Sequence, residues 1–193
     1  QEGHSIKELI AMAGPALAQQ VTTYYDWPKP GVAFKDIQSI LINSEFNAVV
    51  TRYLKMMLPV DQQGFPVFDK ILCFDARGFI FGSHLAFTSN VPMILARKPG
   101  KLPGDLITEE FEKEYGMDSV GVQKNLIEPG DKILIHDDLL ATGGTSAAAA
   151  RIIQKCGATI AGFHFVMEIP ALDGRKILEQ YVPDEKIVSL IPV

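Results

Sequence analysis

Short apolar runs that alternate with helical patterns are the feature that most restricts how this chain can fold. The runs that indicate strands are Lys70–Phe74, Val91–Leu95, Lys132–His136 and Thr159–Met167. Helical patterns lie around Glu45 to Leu58, after Gly78, and from Thr145 to Lys155. Strands and helices in alternation indicate a parallel sheet covered on both faces. The predicted fold class is α/β, with a mainly parallel twisted sheet flanked by helices and ligands beyond the carboxyl ends of its strands.

Length, composition and charge limit the class of protein. With 193 residues, 47% hydrophobic and 21% charged, the chain suits one globular domain with at most a small appendage. Its formal charge of -5 argues against a nucleic-acid binder, which needs a basic face. No apolar run approaches the ~20 residues that span a bilayer. Cys73 and Cys156 lack the spacing of a metal site or disulfide scaffold. We therefore expect a cytoplasmic protein with reduced thiols and no membrane or nucleic-acid partner.

The first 36 residues differ from the alternating core. Apolar residues between Ser5 and Tyr25 recur at helical spacing, with Ser5 as N-cap and Glu8 completing a capping box. The Gly14-Pro15 step is expected to bend or split this helix. Prolines and a glycine in residues 26–31 then predict a linker. We divide the chain into an N-terminal unit, residues 1–36, and a core domain, residues 37–193.

The alternation breaks down between Arg97 and Val122. Residues 98–104 contain two prolines and two glycines, and a charged stretch from Glu109 to Tyr115 follows. A long irregular stretch in a compact domain is usually disordered or a functional lid. We expect a flexible lid loop at about residues 97–122.

The strongest motif is an apolar strand that ends in Asp137 and Asp138, followed by a loop that opens a helix. The loop residues are Ala141, Thr142, Gly143, Gly144 and Thr145. Backbone N–H groups of such a loop converge on one point and the helix N-terminus adds positive potential, which suits a phosphomonoester. No Lys follows the glycines and no GxGxxG occurs, which disfavours a Walker A loop and a dinucleotide fold. Taken singly, these features are as often a plain N-cap and a solvated strand end.

A second anion site is predicted where another strand leads into a helix. Its residues are Asp75, Ala76, Arg77 and Gly78. The helix N-terminus and the Arg77 guanidinium would both face an anion. Arg97, Lys98 and Lys101 form a cationic cluster at the start of the lid. The alternatives are a capped turn and a solvated basic face, but in an acidic protein with a phosphate loop we favour anion recruitment.

The segment from Lys132 to Ser146 resembles the motif with which type I phosphoribosyltransferases bind phosphoribosyl pyrophosphate (PRPP). The resemblance implies the type I phosphoribosyltransferase fold, with Asp137 and Asp138 beside the ribose 2′- and 3′-hydroxyls and residues 141–145 around the 5′-phosphate. It also implies that residues 75–78 form the pyrophosphate loop, helped by the cationic cluster, and that Arg97 acts across a homodimer interface. His136 stands where the family usually has an aliphatic residue, and we interpret it as a core histidine.

Other segments indicate which base is used. Residues 26–37 resemble the N-terminal hood of adenine phosphoribosyltransferases, and residues 97–104 and Glu114-Tyr115-Gly116 are similar to the same family. The resemblance implies that residues 1–36 form a helix and a small hood over the base. The residues implied at the adenine are Ala33, Phe34, Lys35 and Ile169. For Phe34 and Ile169, ordinary core packing is the alternative. Trp27 and Lys35 depart from the family's usual Phe and Arg.

The resemblance also implies a reaction. PRPP and adenine would give AMP and pyrophosphate through an oxocarbenium-like transition state, with Mg²⁺ as cofactor held through substrate and water rather than by direct protein ligands. Asp137 and Asp138 would orient the sugar, Arg77 would stabilise the leaving pyrophosphate, and Glu114 would carry the proton of adenine N7.

Two alternatives stay open at this point. A phosphoribosyltransferase for xanthine, hypoxanthine or orotate would share the phosphate loop but not the hood or the Glu114 segment. A PRPP-sensing regulator that binds nucleic acid is disfavoured by the acidic charge and by the lack of a helix-turn-helix extension.

Overall fold

A computed structural model of the protein describes residues 4–113 and 116–193. The helices of the described ranges are α1 Ile6–Ala18, α2 Gln38–Leu41, α3 Ser44–Met56, α4 Gly78–Ser89, α5 Gly144–Lys155 and α6 Gly174–Leu178. The strands are β1 Thr22–Tyr25, β2 Ala33–Asp36, β3 Lys70–Phe74, β4 Met93–Ala96, β5 Leu106–Lys113, β6 Gly116–Gln123, β7 Lys132–Leu140, β8 Thr159–Glu168 and β9 Ile187–Pro192. Short 3-10 turns lie at Pro99–Lys101, Pro170–Leu172 and Asp184–Lys186. No helix within the described ranges is long and apolar enough to cross a membrane.

The central sheet has five parallel strands in the order β4-β3-β7-β8-β9. Its alternating side chains enter two cores, because neighbours along a strand point to opposite faces. Leu72 and Ile135 pack on the face that α5 covers, whereas Ile71 and Leu134 pack on the face that α1, α3 and α4 cover. The predicted α/β class, with a parallel sheet flanked by helices, is confirmed.

Strand β7 is longer than predicted. It continues past His136 to Leu140, and its last residues pair with Met167 and Glu168 of β8. Asp137 and Asp138 therefore lie within the strand, and the prediction that they end it was wrong. The strand continues because Leu139 and Leu140 supply apolar side chains on both sides after the two carboxylates.

The N-terminal helix confirms its predicted cap and corrects its predicted end. Ser5 accepts a hydrogen bond from the Glu8 N–H at 3.2 Å, and Glu8 accepts one from the Ser5 N–H at 2.7 Å. The helix runs unbroken through Pro15 and ends at Ala18. It lies so close to β9 that a Cβ on Gly14 would be 2.6 Å from the Leu190 carbonyl oxygen. This tertiary packing sustains the helix where Pro15 lacks an N–H. Residues predicted as its last turn form β1 instead, which pairs with β2.

The stretch predicted to be irregular contains two regular strands. β5 and β6 pair antiparallel from Leu106–Gln123 to Lys113–Gly116. Side chains of β5 alternate between half-buried and exposed, so that Ile107 and Phe111 pack against the core that contains α5. The prediction of an irregular loop was wrong because the charged residues on the exposed face obscured this period of two.

Parallel topology gathers the predicted site segments at one edge of the sheet. The ends of β3, β4, β7 and β8 lead directly to Asp75, Arg97, Ala141 and Ile169, respectively. Because the strands are parallel, all four segments meet beyond the carboxyl ends, where ligands bind in such sheets.

Candidate active site

The phosphate loop connects β7 to α5 in a conformation that requires glycine. Gly143 has a φ of 88°, a left-handed value that side chains disfavour. A Cβ on Gly143 would also lie 2.8 Å from the carbonyl oxygen of Gly174, which packs behind the loop. The first N–H groups of α5 have no partners within the helix, and no side chain caps them. The loop is therefore built to receive an anion at the helix N-terminus.

The turn at residues 75–78 lies beside the acidic pair. Gly78 is buried at the start of α4, and a Cβ on it would be 2.8 Å from Asp137 Oδ1. The peptide bond between Asp75 and Ala76 is cis. The structure thus brings the predicted pyrophosphate turn and the predicted ribose carboxylates together.

Arg77 connects three predicted parts of the site. Its Nε lies 2.8 Å from Asp138 Oδ2, and its Nη1 donates to the Lys35 carbonyl at 3.0 Å. Its guanidinium carbon is 4.9 Å from the centre of the Phe34 ring. Phe34 in turn makes an edge-on contact with Trp27, with ring centres 4.6 Å apart. Phe34 is a member of neither core cluster, so its surroundings favour the site interpretation over ordinary core packing.

In the free protein, the cations of the predicted pyrophosphate site form ion pairs with carboxylates of the protein. Asp75 accepts from Arg97 at 3.0 Å and from Lys101 at 3.4 Å. The hydrogen bond from Arg97 is the main cause that lowers the pKa of Asp75. Lys98 and Lys113 lie 3.8 and 2.8 Å from Asp118. All of these residues except Lys113 line a cavity of about 350 Å³, which Asp137 and Thr145 also line. An arriving polyanion would replace the carboxylates as the partner of the cations.

The two strand carboxylates differ in environment. Asp138 pairs with Arg77, whereas Asp137 Oδ1 accepts from the Asp138 backbone N–H at 2.8 Å. Burial first, and then the charge of Asp138, raise the pKa of Asp137 well above its ordinary value. Asp137 is therefore held in a place that disfavours its charged form in the free protein.

Asp137→Asn should stabilise the free protein while weakening its site. An acid with a raised pKa in the folded state makes stability fall as pH rises from its ordinary value through the raised one. Asparagine lacks this charge, so the variant should gain about 0.5–2 kcal/mol at pH 8 and progressively less toward pH 3. Urea unfolding from pH 3 to 8 measures the difference.

Asp131→Asn is a control in which the expected change in stability has the opposite sign, because the pKa of Asp131 is lowered rather than raised. Burial acts to raise the pKa of Asp131, but the ion pair with Lys70 at 2.7 Å and the Glu128 N–H bring it below the ordinary value. Its replacement should lose stability at neutral pH, and the loss should disappear as pH falls through that lowered value. If Asp137→Asn also loses stability at pH 8, the interpretation that the folded protein disfavours the charged form of Asp137 is wrong.

A larger cavity of about 1030 Å³ lies on the other side of the phosphate loop. The hood contributes Ala33, the segment after β8 contributes Ile169 and Leu172, and the loop contributes Thr142 and Gly144. Apolar walls beside a phosphate loop suit a flat heterocyclic base. Of the residues predicted at the base, Ala33 and Ile169 line this cavity, whereas Phe34 and Lys35 are not among its lining residues and contact Arg77 instead. Glu114 lies outside the described residues.

His136 belongs to the core. It is fully buried, and its Nδ1 lies 2.9 Å from Nδ1 of His164. His164 Nε2 is 2.8 Å from the Leu54 carbonyl oxygen, so the proton on Nε2 donates there and His136 Nδ1–H donates to His164. Burial lowers the pKa of His164 to about 4. Both rings are therefore neutral, and the hydrogen-bonded pair connects β7, β8 and α3 in the core.

Sequence reasoning missed the side chains that fasten β5 to α5. Arg151 donates to Glu109 at 3.2 Å and to the Glu110 carbonyl at 2.9 Å, and Lys155 lies 2.6 Å from Glu109. Phe111 of β5 consequently lies over Gly144 of the phosphate loop. Arg151 and Glu109 are 42 positions apart, and no local pattern predicts their contact.

Comparison with known proteins agrees with this geometry. Residues 36–189 match the phosphoribosyl transferase domain, which defines the protein class. Adenine phosphoribosyltransferase from Desulfitobacterium hafniense is 44% identical over 86% of this chain and 91% of its own. The crystal structure of adenine phosphoribosyltransferase from Rhodothermus marinus superposes with a TM-score of 0.83 and 36% identity, covering 95% of this chain and 99% of its own. The chain belongs to the adenine phosphoribosyltransferase family, whose members are glycosyltransferase enzymes.

Proposed function

We propose that the protein transfers the 5-phosphoribosyl group of PRPP to adenine, giving AMP and pyrophosphate. The observation that carries the proposal is Arg77, which joins the hood, the acidic pair and the pyrophosphate turn by direct contacts. The related enzyme from Saccharomyces cerevisiae, 33% identical with a TM-score of 0.81 over 94% of this chain and 99% of its own, was solved in complex with adenine and an imino-altritol bisphosphate.

Each part of PRPP has a place in this arrangement. The 5′-phosphate binds residues 141–145, where backbone N–H groups and the dipole of α5 favour an anion. The ribose hydroxyls lie against Asp137 and Asp138. The pyrophosphate enters the cationic cavity and takes Arg97, Lys98 and Lys101 from their present carboxylate partners. Adenine binds between the hood and Ile169, with the backbone of residues 33–35 at its polar edge.

The protein acts mainly by electrostatics and position. Bond breaking at the anomeric carbon leaves positive charge on the sugar, which the adjacent Asp137 and Asp138 stabilise. The cations around the pyrophosphate stabilise the negative charge that leaves. Phe111 and the β5–β6 pair cover the phosphate loop and limit the access of water, which would otherwise hydrolyse PRPP.

Mg²⁺ fits the site as an ion that PRPP carries. No three His, Cys, Asp or Glu side chains in the part of the chain described here are grouped to hold a metal. Mg²⁺ commonly keeps several waters and binds through substrate phosphates with one or two carboxylates. Asp137 and Asp138 would hold it through the ribose hydroxyls and water, and the ion would neutralise charge on the pyrophosphate.

The proposal is tested by AMP formation from adenine and PRPP, with hypoxanthine, xanthine and orotate as competing bases. Adenine should be the preferred substrate, and Mg²⁺ should be required. PRPP with Mg²⁺ should also raise the melting temperature, since a ligand that binds only the folded state stabilises it. Preference for another base would reject adenine, and no effect of PRPP on melting or turnover would reject the whole proposal.

Glu114→Gln tests the proposed proton transfer. If Glu114 accepts the proton of adenine N7, the amide should lower kcat by about 10²–10⁴-fold, because it cannot accept a proton at neutral pH. Glu45→Gln, at an exposed glutamate of α3 outside the base cavity, is the matched control and should retain kcat. Single-turnover formation of AMP measures the chemical step. Equal rates for Glu114→Gln and the parent would remove Glu114 from the mechanism.

We also propose that the protein is a homodimer. Large apolar side chains are exposed on and near α4, with Phe87 83% and Ile42 79% exposed. Exposed apolar groups of this size favour association. Helix α4 begins at the pyrophosphate turn, so a second copy on this face would approach Arg97. Sedimentation equilibrium should give twice the mass of one chain.

A further inference from the structure

A buried ion pair between Glu168 and Arg175 joins the two ends of the segment 169–174, which lies between the base cavity and the phosphate loop. Arg175 Nε donates to both carboxylate oxygens of Glu168, at 3.1 and 3.0 Å. Its Nη1 donates to the Ile187 carbonyl at 2.7 Å, and the Ser189 hydroxyl donates to Glu168 at 2.5 Å. The Glu168 carboxylate is almost wholly buried. The pair therefore fixes the end of β8 and the first turn of α6 to β9.

Residues 169–174, the six between Glu168 and Arg175, contribute one wall of the base cavity. Ile169 and Leu172 line the cavity, and the Ile169 N–H donates to the Leu140 carbonyl at 2.9 Å. The segment contains the turn Pro170–Leu172 and the left-handed residue Asp173, with a φ of 55°. Its course is therefore set mainly by how its two ends are held.

The far end of the segment supports the phosphate loop from behind. A Cβ on Gly174 would lie 2.4 Å from the Ala141 carbonyl oxygen and 3.0 Å from Leu140 Cδ1. A Cβ on Gly143 would in turn lie 2.8 Å from the Gly174 carbonyl oxygen. The backbones of the two glycines are thus in direct contact, and a displacement of Gly174 must displace the loop.

We infer that Arg175, through Glu168, is a positioning residue that holds the phosphate loop and the Ile169 wall of the base cavity in one fixed relation. This inference rests on the proposed function, because it assigns the support of the proposed 5′-phosphate site. Arg175 contacts neither ligand. It acts through Gly174 on one side and through Glu168 and Ile169 on the other, so this ion pair contributes to the distance between the base and the 5′-phosphate.

The inference predicts a selective loss of binding. The cations of the cationic cavity follow β4, and no residue of the segment 169–174 lines this cavity, whereas the phosphate loop reaches it only through Thr145. Arg175→Met should therefore weaken ribose 5-phosphate, which needs the loop, by about 10–100-fold, the effect of a displacement near 1 Å. Inorganic pyrophosphate should keep its affinity within about 3-fold, since the cations that hold it, Arg97, Lys98 and Lys101, lie outside both the segment 169–174 and the phosphate loop.

Three matched variants accompany Arg175→Met. Asp184→Asn removes only the exposed partner of Arg175 Nη1, at 3.1 Å, and should bind both ligands as the parent does. Arg175→Lys keeps the charge but cannot reach Glu168, Ile187 and Ser189 together, so its affinity for ribose 5-phosphate should be intermediate. Gly174→Ala leaves the ion pair intact and pushes directly on Ala141. It should reproduce the selective loss even if Arg175→Met does not fold.

Calorimetric titration of the folded variants with ribose 5-phosphate and with pyrophosphate separates the outcomes. Selective loss of ribose 5-phosphate binding in Arg175→Met or, where that variant does not fold, in Arg175→Lys supports the inference, while Gly174→Ala shows whether a displacement of Gly174 reaches the loop. Parent-like affinity for both ligands, or equal loss of both in a folded protein, overturns it while the proposed function stands. A parent protein that binds no ribose 5-phosphate would overturn the proposed function and the inference with it.

Discussion

Replacing Gly143 with alanine should raise the KM for PRPP by about 100-fold or more. Alanine at a φ of 88° is strained, and its Cβ would also lie 2.8 Å from the Gly174 carbonyl oxygen. The loop must change conformation to relieve both, which turns its N–H groups away from the 5′-phosphate. Hydrogen bonds to a charged group contribute about 1.5–3 kcal/mol each, so losing one or two is sufficient for this effect.

Gly64→Ala is the control that separates the loss of phosphate binding from the effect of backbone strain alone. Gly64 has a φ of 86°, nearly that of Gly143, but no atom lies within 4 Å of a Cβ placed on it. Both variants should lose about 1–2 kcal/mol of stability from the left-handed conformation. Only Gly143→Ala should lose affinity for PRPP. Steady-state kinetics and urea unfolding of the two proteins make the comparison, and a parent-like KM in Gly143→Ala would remove the loop from the phosphate site.

Local signals explain why some elements of the fold could be predicted. The strand Lys70–Phe74 was placed correctly, and the helices that begin at Gly78 and Gly144 were placed to within a residue, because apolar runs and glycine-rich turns lie next to one another in the sequence. Strand β9 was missed since its six residues follow a polar turn and contain no glycine-rich turn signal. Its place at the edge of the sheet depends on pairing with β8.

The same distinction applies to the site. The acidic pair and the phosphate loop are contiguous, so their chemistry could be inferred from the sequence. Contacts between distant residues could not, and these include Arg175 with the Ile187 carbonyl and Arg151 with Glu109. Ion pairs of this kind depend on how elements pack in three dimensions, and a single sequence contains no local pattern for that packing.

Arg77 was predicted as a pyrophosphate ligand, but its contacts indicate a wider role. It lies at ion-pair distance from Asp138, donates to the Lys35 carbonyl and lies over the Phe34 ring. A planar guanidinium with several donors can make these contacts together, whereas an ammonium cannot. We therefore propose that Arg77 positions β2 relative to Asp138, besides contributing charge to the proposed pyrophosphate site.

Arg77→Met should accordingly lower kcat/KM by about 10³-fold or more for both PRPP and adenine, because it removes a charge at the leaving group and releases the hood. Arg77→Lys should recover much of the loss for PRPP, since the charge returns, yet remain impaired for adenine, since one ammonium cannot hold both Asp138 and the Lys35 carbonyl. Arg52→Met, at an exposed arginine on α3, is the control and should match the parent. Steady-state kinetics with each substrate varied in turn resolve the two effects. If lysine restores both substrates equally, Arg77 contributes charge alone and the hood is positioned by other contacts.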